Sequence, residues 1–500
     1  MTIASTTAGQ VRGTEHGAGL RFAGIPFAAP PVGARRWQPP APVAAWDGVR
    51  DATTFGATAM QSPDMLTAFL GMAPEPVDED CLFLNVRTPA LDDARRPVMV
   101  WIHGGAFIFG SGSSPLYDGA PFVDGGDVVL VTINYRLGAF GFLDLGWLDD
   151  DFAGSGNLGL MDQVAALEWV RANIAGFGGD PDNVTIFGES AGGMSVTSLL
   201  AAESAKGRFH KAIAQSGAAQ SVATPTQAES SARVVVDGLG VSTADELRAL
   251  TAEQVLAVQS QVMVEAFTNS EPLLEEGVAA GLPFRPVADG HFLPTSVLAA
   301  IRGGSAAGVP VMTGTTREEW KLFALLDLVP IDETVLRQRL QALTGDADKA
   351  LAVYADAVAE GPTPKDAFTV IGTDMVFRYP AVELAEALLN QSSDVWEYEF
   401  SWGTPAMGGM LGACHAIELP FLFGLASDPR LLGFLGDDPP VGLAEAMQEA
   451  WVRFARTGDP GPAWPRYDLD RRAVRTFDAQ IGVLDDPGAA QREFWATIDR

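Results

Sequence analysis

A serine flanked by glycines, Ser190 in the segment GESAG (188–192), has the spacing of a nucleophile on a sharp turn. In the G-x-S-x-G motif the serine stands between a strand and a helix, and small residues on both sides let those two elements pack closely. Here the strand pattern VTIF precedes the motif, and the small-residue helix pattern AGGMSVTSLLAA follows the serine. A bare motif of this kind occurs by chance in glycine-rich chains, but this setting favours a nucleophilic serine.

A neutral serine needs a base, usually a histidine, and the chain contains five histidines. His16 and His291 lie in turn-rich or loop sequence, so we expect them on the surface. His210 precedes a strand and is expected to be structural, while His103 begins HGGAF and is expected to orient that loop. Elimination leaves His415, in the glycine-rich segment GACHAIELPFLFG after the last internal strand pattern, as the predicted general base.

The base needs a carboxylate that fixes its tautomer and stabilises the imidazolium. The segment VMTGTTREEW places two glutamates just beyond a predicted strand, and the carboxyl ends of parallel strands border the ligand crevice. Spacing from the strand does not choose between Glu318 and Glu319.

The segment HGGAF also follows a strand pattern, and its small residues Gly104, Gly105 and Ala106 would let backbone N–H groups approach a ligand. Together with the N–H of Ala191, this loop could stabilise the oxyanion of a tetrahedral intermediate. A phosphate-binding loop is the alternative, but no G-K-[ST] signature follows, and no histidine pair has metal-ligand spacing. We expect neither a metal nor another cofactor.

Composition narrows the class of partner. The 500 residues carry a formal charge of -30, and 47% of them are hydrophobic, so the chain can bury a large core while its field repels nucleic acid and anionic membranes. We see no secretion signal and no apolar run long enough for a bilayer, and two cysteines allow one disulfide at most. The sequence favours a cytoplasmic protein that is a monomer or a weak homo-oligomer.

Short apolar runs alternate with helical patterns along the chain, as in an α/β fold with a large, mostly parallel sheet. The strand patterns cover residues 97–102, 128–135, 183–187, 211–217, 309–316 and 394–400. No linker-like composition interrupts them, so we predict one domain over residues 1–500. The segments 62–77 and around 262–286 look like insertions and would form pocket walls.

Taken together, these motifs resemble the type-B carboxylesterase family, the α/β-hydrolase branch that includes cholinesterases and bacterial para-nitrobenzyl esterases. The resemblance covers nearly the whole chain. The matching segments are FAGIPFAAPPVG (22–33), EDCLFLNV (79–86), VWIHGGAFIFG (100–110), NYRLGAFGFL (134–143), GNLGLMDQ (156–163), FGGDPDNVTIFGESAGG (177–193), AIAQSG (212–217), GTTREEW (314–320), HAIELPFLFG (415–424) and FARTGDP (454–460).

The resemblance implies a triad of Ser190 as nucleophile, His415 as base and Glu319 as acid. It selects Glu319 because this residue occupies the family's G-x-x-x-x-E position counted from Gly314. The implied reaction is hydrolysis of a carboxylic ester through an acyl-enzyme on Ser190.

The resemblance further implies supporting roles. An oxyanion hole would be formed by the N–H groups of Gly105, Ala106 and Ala191, and Ser216 matches a serine that hydrogen-bonds near the triad in relatives. Two structural salt bridges are also implied, Arg36 with Glu79 and Arg136 with Asp162.

The chain departs from the family at three points. Trp320 stands where the family usually has glycine after the acid, and it could crowd the pocket or pack beneath it. Cys81 matches a disulfide cysteine whose partner position, in FGATAMQ, holds no cysteine, so we expect no disulfide. No tryptophan lies between residues 47 and 100, where cholinesterases bind choline, so choline esters are not expected substrates.

Five apolar residues are candidates for the substrate pocket: Phe107, Leu282, Phe284, Trp320 and Phe323. They favour uncharged, moderately hydrophobic esters, although residues of this kind also form cores. Two alternatives remain open. The same triad could hydrolyse amides or carbamates or transfer the acyl group to an alcohol, and the fold could serve a non-catalytic binding protein.

Overall fold

The computed structural model describes residues 2–63, 73–268, 282–326, 331–358, 363–390 and 394–498. Both predicted insertions, 62–77 and 262–286, include residues outside these ranges. Residues 262–268 of the second segment form the end of a helix.

A twisted sheet of eleven strands forms the centre of the described structure, in the order β14-β13-β12-β11-β10-β9-β7-β8-β6-β4-β3. The seven strands from β13 to β8 are parallel, and antiparallel strands complete both edges. The strands are β1 (Ile3–Thr6), β2 (Gly9–Arg12), β3 (Thr14–His16), β4 (Gly19–Pro26), β5 (Val49–Asp51), β6 (Phe83–Thr88), β7 (Arg96–Ile102), β8 (Val129–Ile133), β9 (Gly179–Glu189), β10 (Lys211–Gln215), β11 (Val311–Thr316), β12 (Val395–Phe400), β13 (Ala473–Phe477) and β14 (Gly482–Asp485). The predicted α/β fold with a large, mostly parallel sheet is confirmed.

The central strands are buried along their whole length because both faces of the sheet are covered. Every residue of β8, β10, β11 and β12 is buried. Successive side chains of a strand point to opposite faces. Accordingly, Val98, Val100 and Ile102 enter one hydrophobic cluster, whereas Met99 and Trp101 enter the cluster on the other face.

Helices cover both faces of the sheet. They are α1 (Gly138–Gly141), α2 (Leu158–Asn173), α3 (Ala191–Ala201), α4 (Pro225–Leu239), α5 (Ala244–Ala249), α6 (Ala252–Thr268), α7 (Val297–Arg302), α8 (Trp320–Leu326), α9 (Glu333–Thr344), α10 (Ala347–Val353), α11 (Pro364–Thr373), α12 (Tyr379–Leu389), α13 (Leu419–Leu422), α14 (Leu432–Leu435), α15 (Val441–Thr457) and α16 (Ala489–Trp495). In α15 the residues Leu443, Met447, Trp451 and Phe454 form a buried stripe. The helix ends at Gly458, whose left-handed conformation lets its N–H donate to the Phe454 carbonyl. Within the described ranges, no helix combines the length and apolar character needed to cross a bilayer.

Two ion pairs lie where the resemblance implied them. Arg36 contacts Glu79 at 2.5 Å. Arg136 contacts both carboxylate oxygens of Asp162 at 2.7 and 2.8 Å, with both side chains buried, and it also donates to the Gln38 carbonyl. Because Asp162 lies on α2 and Arg136 follows β8, this pair fixes helix against sheet. The two cysteines are buried free thiols.

Asp162→Asn should destabilise the protein by about 3–5 kcal/mol, because it leaves the buried Arg136 guanidinium without its counter-charge. Glu229→Gln is the control, since its partner Arg233 is exposed and such pairs contribute about 0–1 kcal/mol. Urea unfolding followed by circular dichroism measures both. Equal unfolding midpoints for the two variants would contradict the structural role of the buried pair.

Candidate active site

Ser190 occupies the turn between β9 and α3. Its backbone has φ 58° and ψ -124°, a strained conformation for a residue with a side chain. The turn is held because the Ser190 N–H donates to the Gln215 carbonyl on the neighbouring strand at 2.9 Å. A Cβ added to Gly188 would lie 2.6 Å from the Gly192 carbonyl carbon, and one on Gly192 would lie 2.0 Å from the Ile102 oxygen. Close approach of strand and helix therefore requires both glycines of the motif.

The side chain of Ser190 is partly exposed. Among the residues that the structure describes, its hydroxyl makes no hydrogen bond, which leaves it available to another group. Catalytic hydrogen bonds are often long or misaligned before substrate is bound.

His415 and Glu319 form a buried pair beside this turn. The His415 Nδ1 lies 2.6 Å from Glu319 Oε2, so the imidazole donates a hydrogen bond to the carboxylate. The other carboxylate oxygen accepts the Thr316 N–H at 2.8 Å. Glu319 lies three residues beyond β11, and His415 lies in the loop that follows β12, the next strand of the sheet. Because β11 and β12 run parallel, both residues lie beyond the carboxyl ends of these strands, on the same side of the sheet.

Glu318, the neighbouring glutamate, faces a different part of the loop. It accepts the Ala413 N–H at 2.8 Å and contacts the Lys321 ammonium at 2.7 Å. Burial would raise the pKa of Glu318, but the hydrogen bonds from Lys321 and the Ala413 N–H, together with the charges of Lys321 and Arg317, outweigh burial and lower that pKa. Glu318 supports the loop that carries His415, whereas Glu319 contacts the imidazole itself.

The predicted oxyanion loop follows β7 and turns tightly over its own backbone. Gly105, Ala106 and Phe107 have φ values of 110°, 52° and 61°, and the Gly105 carbonyl accepts the N–H groups of both Ile108 and Phe109. A Cβ on Gly104 would lie 3.1 Å from the Ser190 Cβ, so the loop packs directly against the turn. Within the described residues, the N–H groups of Gly105, Ala106 and Ala191 have no hydrogen-bond acceptor.

His103 orients this loop, in the way the sequence predicts. Its Nδ1 lies 2.8 Å from the Gly104 carbonyl and must carry the proton, because a carbonyl oxygen only accepts. Its ring stacks on Tyr135 with 4.5 Å between centroids, and the Tyr135 hydroxyl donates to the His103 carbonyl. Burial lowers the pKa of His103 to about 4, so the ring is neutral at pH 7.

The remaining histidines lie away from this turn. His16 pairs with Asp118, the exposed His291 belongs to a loop, and His210 accepts the Val184 N–H. In the described part of the chain, no group of three metal-ligating side chains could hold a metal ion.

Two further carboxylates lie near His415, and the sequence reasoning missed both. Glu189 Oε1 is 3.0 Å from His415 Nε2, but the atoms are not aligned as a hydrogen bond. Glu418 accepts the Gln215 side-chain N–H at 3.2 Å. Burial raises the pKa of Glu189 and of Glu418. Their positions in the sequence could have indicated that they lie near His415, because Glu189 directly precedes Ser190 at a strand end and Glu418 follows His415 by three residues.

These carboxylates change the protonation of the imidazole. Burial alone would lower the pKa of His415, but the negative charges of Glu189 and Glu319 outweigh burial and raise it above the ordinary histidine value. The carboxylates around His415 therefore stabilise the imidazolium that forms when the ring accepts a proton.

Ser216 does not extend this network. It is buried with φ 46°, and its hydroxyl has no hydrogen-bond partner in the described residues. The preceding residue, Gln215, makes the contacts instead: its carbonyl holds Ser190 and its side chain links Glu418 to the Trp451 indole.

The pocket candidates separate into two groups. Phe107 and Phe284 are completely buried in the hydrophobic core, so they do not face an open pocket in this structure. Leu282, Trp320 and Phe323 are partly exposed.

Aromatic rings cover one side of His415. The ring centroid of Phe323 is 5.1 Å from that of His415, and the ring of Phe377, which the sequence reasoning missed, is 4.9 Å from it. Trp320 packs against Phe323 at 5.1 Å and against Gly372, where a Cβ would lie 2.9 Å from the indole. Trp320 thus packs behind Phe323 rather than against the imidazole.

The chain is similar to known proteins over nearly its whole length. A family model described as the carboxylesterase family matches residues 1–495. The chain is 40% identical to para-nitrobenzyl esterase of Bacillus subtilis (strain 168), with 98% of each chain covered, and 34% identical to human cocaine esterase, with 99% and 90% covered. A crystal structure of a Geobacillus stearothermophilus carboxylesterase superposes with a TM-score of 0.87 at 39% identity, covering 99% of this chain and 100% of that one.

Glu189→Gln should lower the pKa of His415, because it removes the negative charge nearest to Nε2 while keeping the side-chain shape. Nitrogen-15 NMR titration of the histidine side chains measures this value directly. Glu318→Gln also removes one negative charge, but from a side chain between β11 and α8 that does not contact the ring, so its His415 pKa should match that of the unmodified protein. An unchanged pKa in Glu189→Gln would contradict the proposed electrostatics.

Proposed function

The chain belongs to the carboxylesterase family and is a serine carboxylesterase, and we propose that Ser190, His415 and Glu319 carry out its acyl transfer. The observation that supports this assignment best is the buried contact between His415 and Glu319 beside the strained turn of Ser190. A partly exposed serine, a histidine and a buried carboxylate at the carboxyl ends of the parallel strands are the groups that nucleophilic ester hydrolysis requires.

In the first half-reaction, Ser190 Oγ attacks the ester carbonyl carbon while its proton moves to His415 Nε2. The carbonyl π electrons move to oxygen, and the N–H groups of Gly105, Ala106 and Ala191 stabilise the resulting oxyanion. The intermediate collapses by breaking the bond to the alcohol oxygen, which takes the proton from His415. The products are free alcohol and an acyl group esterified to Ser190.

In the second half-reaction, water gives a proton to His415 Nε2 and attacks the acyl carbonyl carbon. Collapse of this second intermediate breaks the bond to Ser190 Oγ, which recovers its proton from His415, and the carboxylic acid is released. All bonds and protons balance with ester and water as the only reactants, so the reaction needs no cofactor.

The hydrogen bond to Glu319 supports this cycle through the tautomer of the imidazole. With the Nδ1 proton directed at the carboxylate, the lone pair is on Nε2, where the serine proton must go. The negative charges around the ring stabilise the imidazolium that forms in both transition states, and a preorganised field of this kind is the larger part of many rate enhancements.

The surroundings of His415 also support a substrate class, namely uncharged and moderately hydrophobic esters. The rings of Phe323 and Phe377 offer apolar surface next to the reacting atoms. The carboxylates of Glu189 and Glu319 would repel an anionic acyl group brought into the same buried space. We also propose the cytoplasm as the compartment, because both cysteines are thiols rather than a disulfide.

A single organophosphate adduct on Ser190 should form with loss of turnover in the same proportion. Intact-protein mass spectrometry followed by peptide mapping locates the adduct, and Ser190→Ala is the control, with kcat reduced by a factor on the order of a million. An adduct on another residue, or substantial turnover by Ser190→Ala, would contradict the assignment.

The substrate class is tested with two esters whose acyl chains have the same length. We expect kcat/KM for para-nitrophenyl butyrate to exceed that for para-nitrophenyl hemisuccinate by at least about tenfold, since the second carries a terminal carboxylate. Equal values would exclude the proposed preference for uncharged acyl groups. Measuring para-nitroanilide hydrolysis beside them separates ester from amide activity.

A further inference from the structure

The side chain of Gln61 reaches the far end of the oxyanion loop. Gln61 Oε1 accepts the Gly110 N–H at 2.8 Å, and Gln61 Nε2 donates to the Gly110 carbonyl at 3.0 Å. Nε2 also donates to the Ala59 carbonyl at 3.1 Å. The amide thus pairs with both backbone groups of one residue, as a neighbouring strand would, although Gln61 and Gly110 lie 49 positions apart in the chain.

Gly110 packs directly against the residues that carry the oxyanion donors. A Cβ on Gly110 would lie 2.5 Å from the Gly104 oxygen, and one on Gly105 would lie 2.1 Å from the Phe109 oxygen. The loop is doubled back on itself with no free space between its two arms. Any displacement of Gly110 must therefore be transmitted to Gly104 and Gly105.

Two other contacts fix the beginning and the middle of the same loop. His103 Nδ1 donates to the Gly104 carbonyl at 2.8 Å, and the Gly138 N–H donates to the Phe107 carbonyl at 2.7 Å. Gln61 adds the contact at the end of the loop. With its beginning, middle and end held, the loop presents the Gly105 and Ala106 N–H groups in one orientation.

We propose that Gln61 is a positioning residue for the oxyanion hole, acting through the paired hydrogen bonds to Gly110. The proposal rests on the proposed function of Gly105 and Ala106 as donors. Donors must lie 2.7–3.1 Å from the developing oxyanion, and a misplacement of about 1 Å can cost a factor on the order of a hundred in rate. In the described residues Gln61 hydrogen-bonds to Thr58, Ala59 and Gly110 and to no residue of the proposed triad, so its effect should appear in the transition state and not in substrate binding.

Gln61→Met tests this role, because methionine keeps the length of the side chain and removes both hydrogen bonds. We expect kcat for para-nitrophenyl acetate, per site titrated by organophosphate, to fall about 10- to 100-fold while KM changes less than about threefold. A trifluoromethyl ketone, which adds to Ser190 and places its own oxyanion in the hole, should lose affinity by a similar factor.

Gln341→Met is the matched control. Gln341 also pairs its amide with backbone groups of a loop, donating to the Gly345 carbonyl and accepting the Ala347 N–H, but it lies on α9, away from the oxyanion loop. Its substitution should leave kcat, KM and ketone affinity unchanged. A change of KM alone in Gln61→Met, or kcat within twofold of the unmodified enzyme, would overturn the proposal.

Gln61→Glu supplies a second test that does not depend on the folding of the methionine variant. The carboxylate form accepts the Gly110 N–H but repels its carbonyl, whereas the protonated acid can make both hydrogen bonds. The ratio of variant to unmodified kcat should therefore rise as the pH falls, and a ratio independent of pH would count against the role. If the unmodified enzyme itself neither turns over esters nor takes up organophosphate, the proposed function fails, a result distinct from failure of the Gln61 proposal.

Discussion

The hydrogen bond between His415 and Glu319 lies in the interior of the protein, where an unpaired charge is strongly unfavourable. Much of the surrounding structure serves to hold this contact. The parallel strands β11 and β12 place the two residues beyond their carboxyl ends. The N–H of Thr316 donates to the second carboxylate oxygen of Glu319. The adjacent Glu318 accepts the Ala413 N–H and so holds the loop that carries His415, while Glu319 contacts the imidazole itself.

The serine depends on a different constraint, which is steric. The glycines around Ser190 allow helix α3 to approach the Ile102 carbonyl, and the resulting turn forces the serine into a strained backbone. The oxyanion loop packs against that turn with equally little space at Gly104. Strained and tightly packed backbone at this point fits a site whose groups must be placed before the substrate arrives. The burial of the central strands on both faces of the sheet offsets the free-energy cost of this strained backbone.

The sequence predicted those parts of the fold and site that depend on local pattern. Apolar runs located the parallel strands, and elimination among five histidines left His415, the one found against a buried carboxylate pair. Spacing left Glu318 and Glu319 equivalent, because adjacent residues beyond a strand differ only in the direction of their side chains. Buried Phe107 and partly exposed Phe323 looked alike in sequence, since apolar residues suit both core and pocket.

Contacts between distant segments could not be predicted from pattern alone. Glu189 and Glu418 reach the region of His415 from β9 and from the start of α13, and Gln61 meets Gly110 across the fold. The resemblance implied a hydrogen bond from Ser216, but within the described residues its hydroxyl makes none. The family resemblance supplied the choice of Glu319 because it contains information on side-chain direction that spacing lacks.

The turnover of Glu319→Gln and Glu318→Gln, measured side by side on para-nitrophenyl acetate with sites counted by organophosphate, tests the central claim most directly. The account predicts that Glu319→Gln loses a factor of about 10⁴ in kcat, because the amide favours the imidazole tautomer that cannot accept the serine proton, whereas Glu318→Gln loses at most about tenfold. If Glu318→Gln were the inactive variant of the pair, the assignment of the buried contact as the catalytic one would be wrong.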